Sequence, residues 1–227
     1  MPKHTKDPVN QSLIDLEETI GLQSLGVMNN AVWYEDPKRL VFTLARYKFV
    51  AKMFSGKSEV AEIGCGDGFG ARIVRQEVEN LLITDYDSFF IEKFIQQPSE
   101  KWPIEAKVHD ILAGPLQKKV DAIYSLDVME HIHQESEKIF INNLCLSLRD
   151  NGSAIIGMPS LESQKYASFG SRAGHVNCKS GNEFQDFLCQ YFEHVFLFSM
   201  NDEVVHTGFS KMAHYLLALC VTPKYRG

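Results

Sequence analysis

The chain has 227 residues, 23 basic and 29 acidic side chains and a formal charge of −6, with 44% hydrophobic and 23% charged residues. That balance is ordinary for a soluble globular protein and excludes collagen-like, coiled-coil and disordered classes. A pI near 5.8 without a dense Lys/Arg cluster argues against nucleic acid as a partner.

At about 150 residues per domain, the length suits one α/β domain with an extension. The longest apolar run, Tyr215 to Val221, falls far short of the roughly 18 residues of a membrane span. Met1 to Pro8 carries no apolar stretch of the kind a secretory signal needs. A cytoplasmic protein with no membrane partner, monomeric or homodimeric, is expected.

Residues 1–57 read as a helical cover. Asp36-Pro37 is a helix start, with Asp as N-cap and Pro in the first turn. Leu40, Val41, Leu44, Ala45, Met53 and Phe54 then recur at helical spacing, and Gly56 closes the run. From residue 58 the texture changes. Strands are predicted at Val60–Ile63, Leu81–Thr84, Ala106–His109, Ala122–Leu126 and Ala154–Met158, with helices at Phe69–Val78, Phe89–Gln96 and Ser136–Leu148 between them. That alternation is the pattern of βαβ units around a parallel sheet. About twenty residues without periodicity follow Pro159, a length usually kept for function. A helix (Asn182–Phe192), a strand (Val195–Ser199) and a last apolar strand (Tyr215–Val221) complete the chain, the end forming a hairpin-like edge of the same sheet.

Five scattered cysteines (Cys65, Cys145, Cys178, Cys189, Cys220) are read as reduced thiols, mostly buried. His175, Cys178, Cys189 and His194 have a spacing that invites a zinc reading. Cys189 falls in an apolar helical pattern (Phe184, Phe187, Leu188, Tyr191, Phe192) that should bury it, so no metal is expected.

The most informative stretch runs Glu62-Ile63-Gly64-Cys65-Gly66-Asp67-Gly68-Phe69-Gly70. A strand entering a glycine-rich loop before a helix is where doubly wound folds hold nucleotides. Phe69 stands where the dinucleotide fingerprint wants glycine or alanine, which weakens an NAD-dependent oxidoreductase reading. The second strand ends at Asp85, followed by Tyr86; the third leads into Asp110-Ile111, and the fourth ends Ser125-Leu126-Asp127 before Glu130-His131. Carboxylates thus collect at one sheet edge, suited to a cationic ligand that carries ribose hydroxyls.

Through the motifs EIGCGDGFG, ITDYD, HDI, SLDVMEHI and NGSAIIGMPS, residues 60–221 resemble the class I S-adenosylmethionine (SAM)-dependent methyltransferases. The resemblance implies a Rossmann-like, seven-stranded, mostly parallel sheet with an antiparallel C-terminal strand. It implies SAM as cofactor and S-adenosylhomocysteine (SAH) as product. Glu62, Gly64, Cys65, Gly66 and Gly68 would form the loop against the methionine part, with Asp85 on the ribose, Tyr86 beside it, Asp110 and Ile111 at the adenine, and Leu126 near the sulfonium.

A hydroxyl acceptor needs a base. His131, just after the fourth strand, and His175, in the long loop, are the candidates. An orienting role for His131 and a simple loop hydrogen bond for His175 are the alternatives. Trp33, Tyr34, Arg46, Tyr166 and Arg172 would line the acceptor pocket. The place after the fourth strand reads Leu126-Asp127-Val128-Met129, so it lacks both the Asn/Asp-Pro-Pro-aromatic turn of DNA amino-methylating enzymes and the Pro-Cys of cytosine methylation. An O-methyltransferase acting on a small molecule or sugar is therefore expected. N-methylation of a small molecule or protein, or a non-catalytic SAM-binding subunit, is the alternative.

Overall fold

The computed structural model describes residues 4–224. Five parallel strands form its frame: β1 (Glu59–Ile63), β2 (Asn80–Asp85), β3 (Glu105–Val108), β4 (Val120–Leu126) and β5 (Leu148–Pro159). The last three strands are β6 (Phe192–Asn201), β7 (Val204–His206) and β8 (Tyr215–Pro223). The order across the sheet is β3-β2-β1-β4-β5-β8-β6-β7. β8 runs antiparallel between β5 and β6, and the two-residue turn after Asn201 adds β7 as a short hairpin partner. The doubly wound Rossmann-like sheet is thus present with eight strands where seven were predicted. The C-terminal strand is antiparallel as expected but lies inside the sheet; the β6–β7 hairpin is the edge.

Side chains alternate across this sheet, as a period of two requires. Ile123, Ile156 and Leu216 pack on one face with Phe140 and Leu144 of α6 (Glu137–Ser147) and Phe184 of α8 (Gly181–Leu188). Tyr124, Ile155 and Leu217 point to the other face. There they meet Tyr47, Val50 and Ala51 of α3 (Pro37–Met53), Val74 of α4 (Ala71–Arg75) and Ile91 of α5 (Ser88–Ile95). Each fully buried large side chain contributes about 1.5–3 kcal/mol, so both faces stabilise the sheet. α3 is accordingly part of the core.

Ahead of it lie α1 (Gln11–Ile20) and α2 (Val27–Glu35), neither with a buried residue. α4 covers only five residues of the predicted ten, because the chain turns back through a Glu77 N–H to Val74 carbonyl bond toward β2. The stretch after Pro159 holds a 3₁₀ segment (Leu161–Tyr166) and α7 (Phe169–Gly174). α7 begins at Ser168, whose hydroxyl accepts from the Ser171 N–H. Cys65, Cys145 and Cys220 are buried, but Cys189 is exposed, since it caps the end of α8 and faces outward. The expectation that helical packing buries it is thereby corrected. Among the described residues no helix is long and apolar enough to cross a membrane.

Candidate functional site

The parallel strands all end on one side, and the glycine loop leaves β1 there. Gly64 and Gly66 have φ of 77° and 50°, a region costly for residues with a Cβ. A Cβ on Gly64 would meet Val128 Cγ2 at 2.3 Å, and one on Gly66 would meet Met28 Sδ at 2.9 Å. The loop is therefore bare backbone, with the β4 extension against one side and α2 against the other. Asp67 fixes α2 in that position: its carboxylate accepts from the N–H groups of Val27 (3.0 Å) and Asn29 (2.8 Å). No sequence pattern pointed to this clasp, whose partners lie about forty residues apart.

Asp85 is buried and accepts from the Gly66 N–H through Oδ2 (2.9 Å) and from the Asp87 N–H through Oδ1 (3.0 Å). Each oxygen has a further lone pair for a ligand hydroxyl. Tyr86 beside it is exposed. Asp110 is exposed and accepts from the Leu112 N–H (2.8 Å), while Ile111 and Leu126 are buried. Cys65 is buried behind the loop.

The remaining two strand-end acids are spent within the fold. Glu62 is 1% exposed and lies between two phenols: Tyr47 donates to Oε1 (2.7 Å) and Tyr124 to Oε2 (2.8 Å). Burial outweighs these bonds and pushes its pKa up to about 8. Asp127, with an unusual φ of 57°, receives Arg46 Nη1 at 2.8 and 2.6 Å. The guanidinium carbon also lies 3.7 Å from the centre of the Tyr215 ring. The open carboxylates at this sheet edge are Asp85 and Asp110; Glu62 holds a place in the core and Asp127 an ion pair.

Beyond Asp127, a 3₁₀ turn (Met129–His131) carries Glu130 and His131. Glu130 is 1% exposed, and neither of its carboxyl oxygens has a hydrogen-bond partner among the described residues. Burial, and then the charge of Asp127, push its pKa well above the usual range. His131 and His175 are brought together across 43 residues, their ring centroids 5.2 Å apart. Burial, then His131, lowers the pKa of His175. Of the predicted pocket residues, Arg46 lies beside this turn, whereas Trp33, Tyr34, Tyr166 and Arg172 are exposed.

A doubly wound sheet with a glycine loop and a buried acid at its carboxyl ends defines an α/β domain of the nucleotide-binding type. Residues 60–152 match the family described as methyltransferase domain. A probable SAM-dependent methyltransferase of Mycobacterium tuberculosis is 25% identical over 104 residues, covering 45% of this chain and 36% of that protein. One from Mycolicibacterium smegmatis is 24% identical over 116 residues, 50% of this chain and 42% of the relative. The aligned stretch thus spans well under half the length of these curated relatives. Among solved structures, the N-methyltransferase NodS of Bradyrhizobium japonicum bound to SAH superposes with a TM-score of 0.63 at 19% identity, over 96% of this chain and all of NodS. The magnesium protoporphyrin IX methyltransferase of Synechocystis superposes with a TM-score of 0.58 at 15% identity, over 94% of this chain and 95% of its own. Residues 60–152 match the methyltransferase domain family, and the fold around them is the Rossmann-like methyltransferase fold.

Proposed function

We propose that this chain transfers a methyl group from SAM to a hydroxyl oxygen of a small molecule or sugar. One juxtaposition carries the reading. Val128 packs on Gly64 of the bare glycine loop whose Gly66 N–H Asp85 holds, and His131 stands three residues further along that turn, with the imidazole of His175 brought against it from the long loop. The residues fit the cofactor. Loop amides and the open lone pairs of Asp85 would take the methionine and ribose parts, Asp110 the adenine, and Ile111 and Leu126 supply apolar walls. When bound, SAM supplies a methyl on a positively charged sulfur, whose departure leaves a neutral thioether.

The chain's own task is to hold the acceptor oxygen in line at about 3–3.5 Å, which can supply about 7–11 kcal/mol of the barrier. It must also provide for the proton that the hydroxyl gives up. An amine already carries a free pair when neutral, so a paired-imidazole acceptor side supports oxygen over nitrogen. With α3 in the core, the remaining part of the expected cover, α1 and α2, would roof the site, α2 being held beside the glycine loop by the Asp67 clasp.

Calorimetry with SAH checks the cofactor half: Asp85→Ala should weaken binding about 10- to 150-fold, the equivalent of about 1.5–3 kcal/mol for a lost charged hydrogen-bonding group. Methyl-labelled SAM presented with hydroxyl and amine acceptors checks the other half. His131→Ala or His175→Ala should cut hydroxyl methylation about 10²- to 10⁴-fold with SAH affinity unchanged. Full activity in both variants, or labelling of amines alone, overturns the oxygen assignment.

A further inference from the structure

The turn bearing His131 is stitched to the loop bearing His175. The Glu130 carbonyl accepts from the N–H groups of Val176 (2.8 Å) and Asn177 (3.0 Å). His131 Nδ1 lies 2.9 Å from the Gly174 carbonyl oxygen, which can only accept, so Nδ1 carries the proton. His175 Nδ1 lies 2.8 Å from Gln164 Oε1. The amide nitrogen of Gln164 is engaged with the Ser160 carbonyl (3.2 Å) and the Ser163 hydroxyl (3.3 Å), which turns its oxygen to the ring. Here too Nδ1 is the donor. In its neutral form each ring therefore has its lone pair on Nε2.

Glu130 completes the group. One possible ligand atom from each of Glu130, His131 and His175 lies within 4.8 Å of the others. Glu130 is buried with two unpartnered oxygens, a costly arrangement that an ion would resolve. We propose that Glu130, His131 and His175 bind a divalent transition-metal ion, and that its open positions take an oxygen of the methyl acceptor.

Three features favour an ion over a purely structural cluster. Metal-bound histidines nearly always donate their other N–H to a carbonyl or carboxylate, and both of these do. Two imidazoles and one carboxylate suit zinc, manganese, iron or cobalt, whereas magnesium and calcium prefer oxygen-only shells. Three protein ligands leave room for an exchangeable one, and His175 borders a cleft of about 670 Å³ that also meets Gln164 and Arg172. This is not the histidine–cysteine set considered from spacing alone. Cys189 is exposed, and Glu130, adjacent to His131 in sequence, supplies the carboxylate instead.

The ion's role rests on the methyl-transfer reading. Coordination would lower the pKa of the acceptor hydroxyl, and its proton would leave to solvent. The oxygen pair then forms the new O–C bond as the C–S bond breaks, with that bonding pair retained by sulfur.

The test is a titration of chelator-treated protein with Co²⁺, followed by visible absorption and calorimetry. One equivalent should bind with the ligand-field bands of mixed nitrogen and oxygen coordination. Glu130→Gln, His131→Ala and His175→Ala should each weaken binding at least tenfold, and Gln164→Leu by about 10- to 100-fold through the lost support of His175. SAH calorimetry on the same variants reports that they are folded. No saturable binding by the wild type, or binding that survives all three ligand substitutions, overturns the site. Cobalt binding at these residues without SAH binding overturns the methyl-transfer reading and leaves the ion site standing.

Discussion

Two glutamates lie buried at the carboxyl ends of neighbouring strands, each 1% exposed, and the fold treats them in opposite ways. Glu62 has a phenol on each oxygen, one from α3 and one from β4, so the protein closes the site from within. Glu130 has no hydrogen-bond partner on either oxygen among the described residues, and two imidazoles lie nearby. A buried carboxyl whose partners belong to the chain is a structural element. One whose partners are missing marks a place where the chain expects something else. The contrast separates scaffold from function more clearly than burial or charge does.

The sharpest way to break this comparison is Glu62→Leu. It leaves the hydroxyls of Tyr47 and Tyr124 buried without a partner, at about 1–3 kcal/mol each, so stability should fall by about 2–6 kcal/mol in urea unfolding. A loss under about 1 kcal/mol would mean that Glu62 is no keystone.

The same residue makes stability depend on pH. Its pKa is raised from an ordinary 4.5 to about 8 in the folded chain. Between these values the unfolded chain releases a proton that the folded chain keeps. The contribution of Glu62 is therefore full below about pH 4.5, declines as pH rises, and is gone above about pH 8. Unfolding curves for wild type and Glu62→Gln should diverge across that window, and parallel curves would refute the assignment.

Glu130→Leu is expected to have the smaller and opposite effect. In chelator-treated protein it removes an unpartnered buried carboxyl, and stability should stay level or rise by up to about 1–3 kcal/mol in the same assay. A loss like that of Glu62→Leu would show that Glu130 is held by the fold after all.

β1, β2 and β4 were legible because each is a short apolar run ended by Gly or Asp. β1 to β4 fall close to their predicted places, whereas β5 starts six residues before its apolar run, at Leu148, where the polar stretch 149–153 hid it. β7 was not legible, since three residues in a hairpin offer too little pattern. α2 was hidden as well, because it buries no residue and is held by Asp67. At the site, the acids could be named from their positions at strand ends, but their states could not. Those depend on Tyr47 and Arg46, which a helix with its own apolar rhythm brings in from before β1. The pairing of His131 with His175 is likewise a product of backbone bonds from Glu130 to Val176 and Asn177, which have no counterpart in local sequence.

The position of β8 has a consequence for how the chain is made. Among the described strands of the sheet it is the last in the sequence, yet it fills the gap between β5 and β6 and pairs with both along most of its length. Until it emerges, the nascent chain carries two unpaired strand edges, and exposed edges of that kind recruit other chains. Vectorial synthesis therefore leaves this domain open to mispairing up to its final strand, and closure comes in a single insertion that joins the two halves of the sheet.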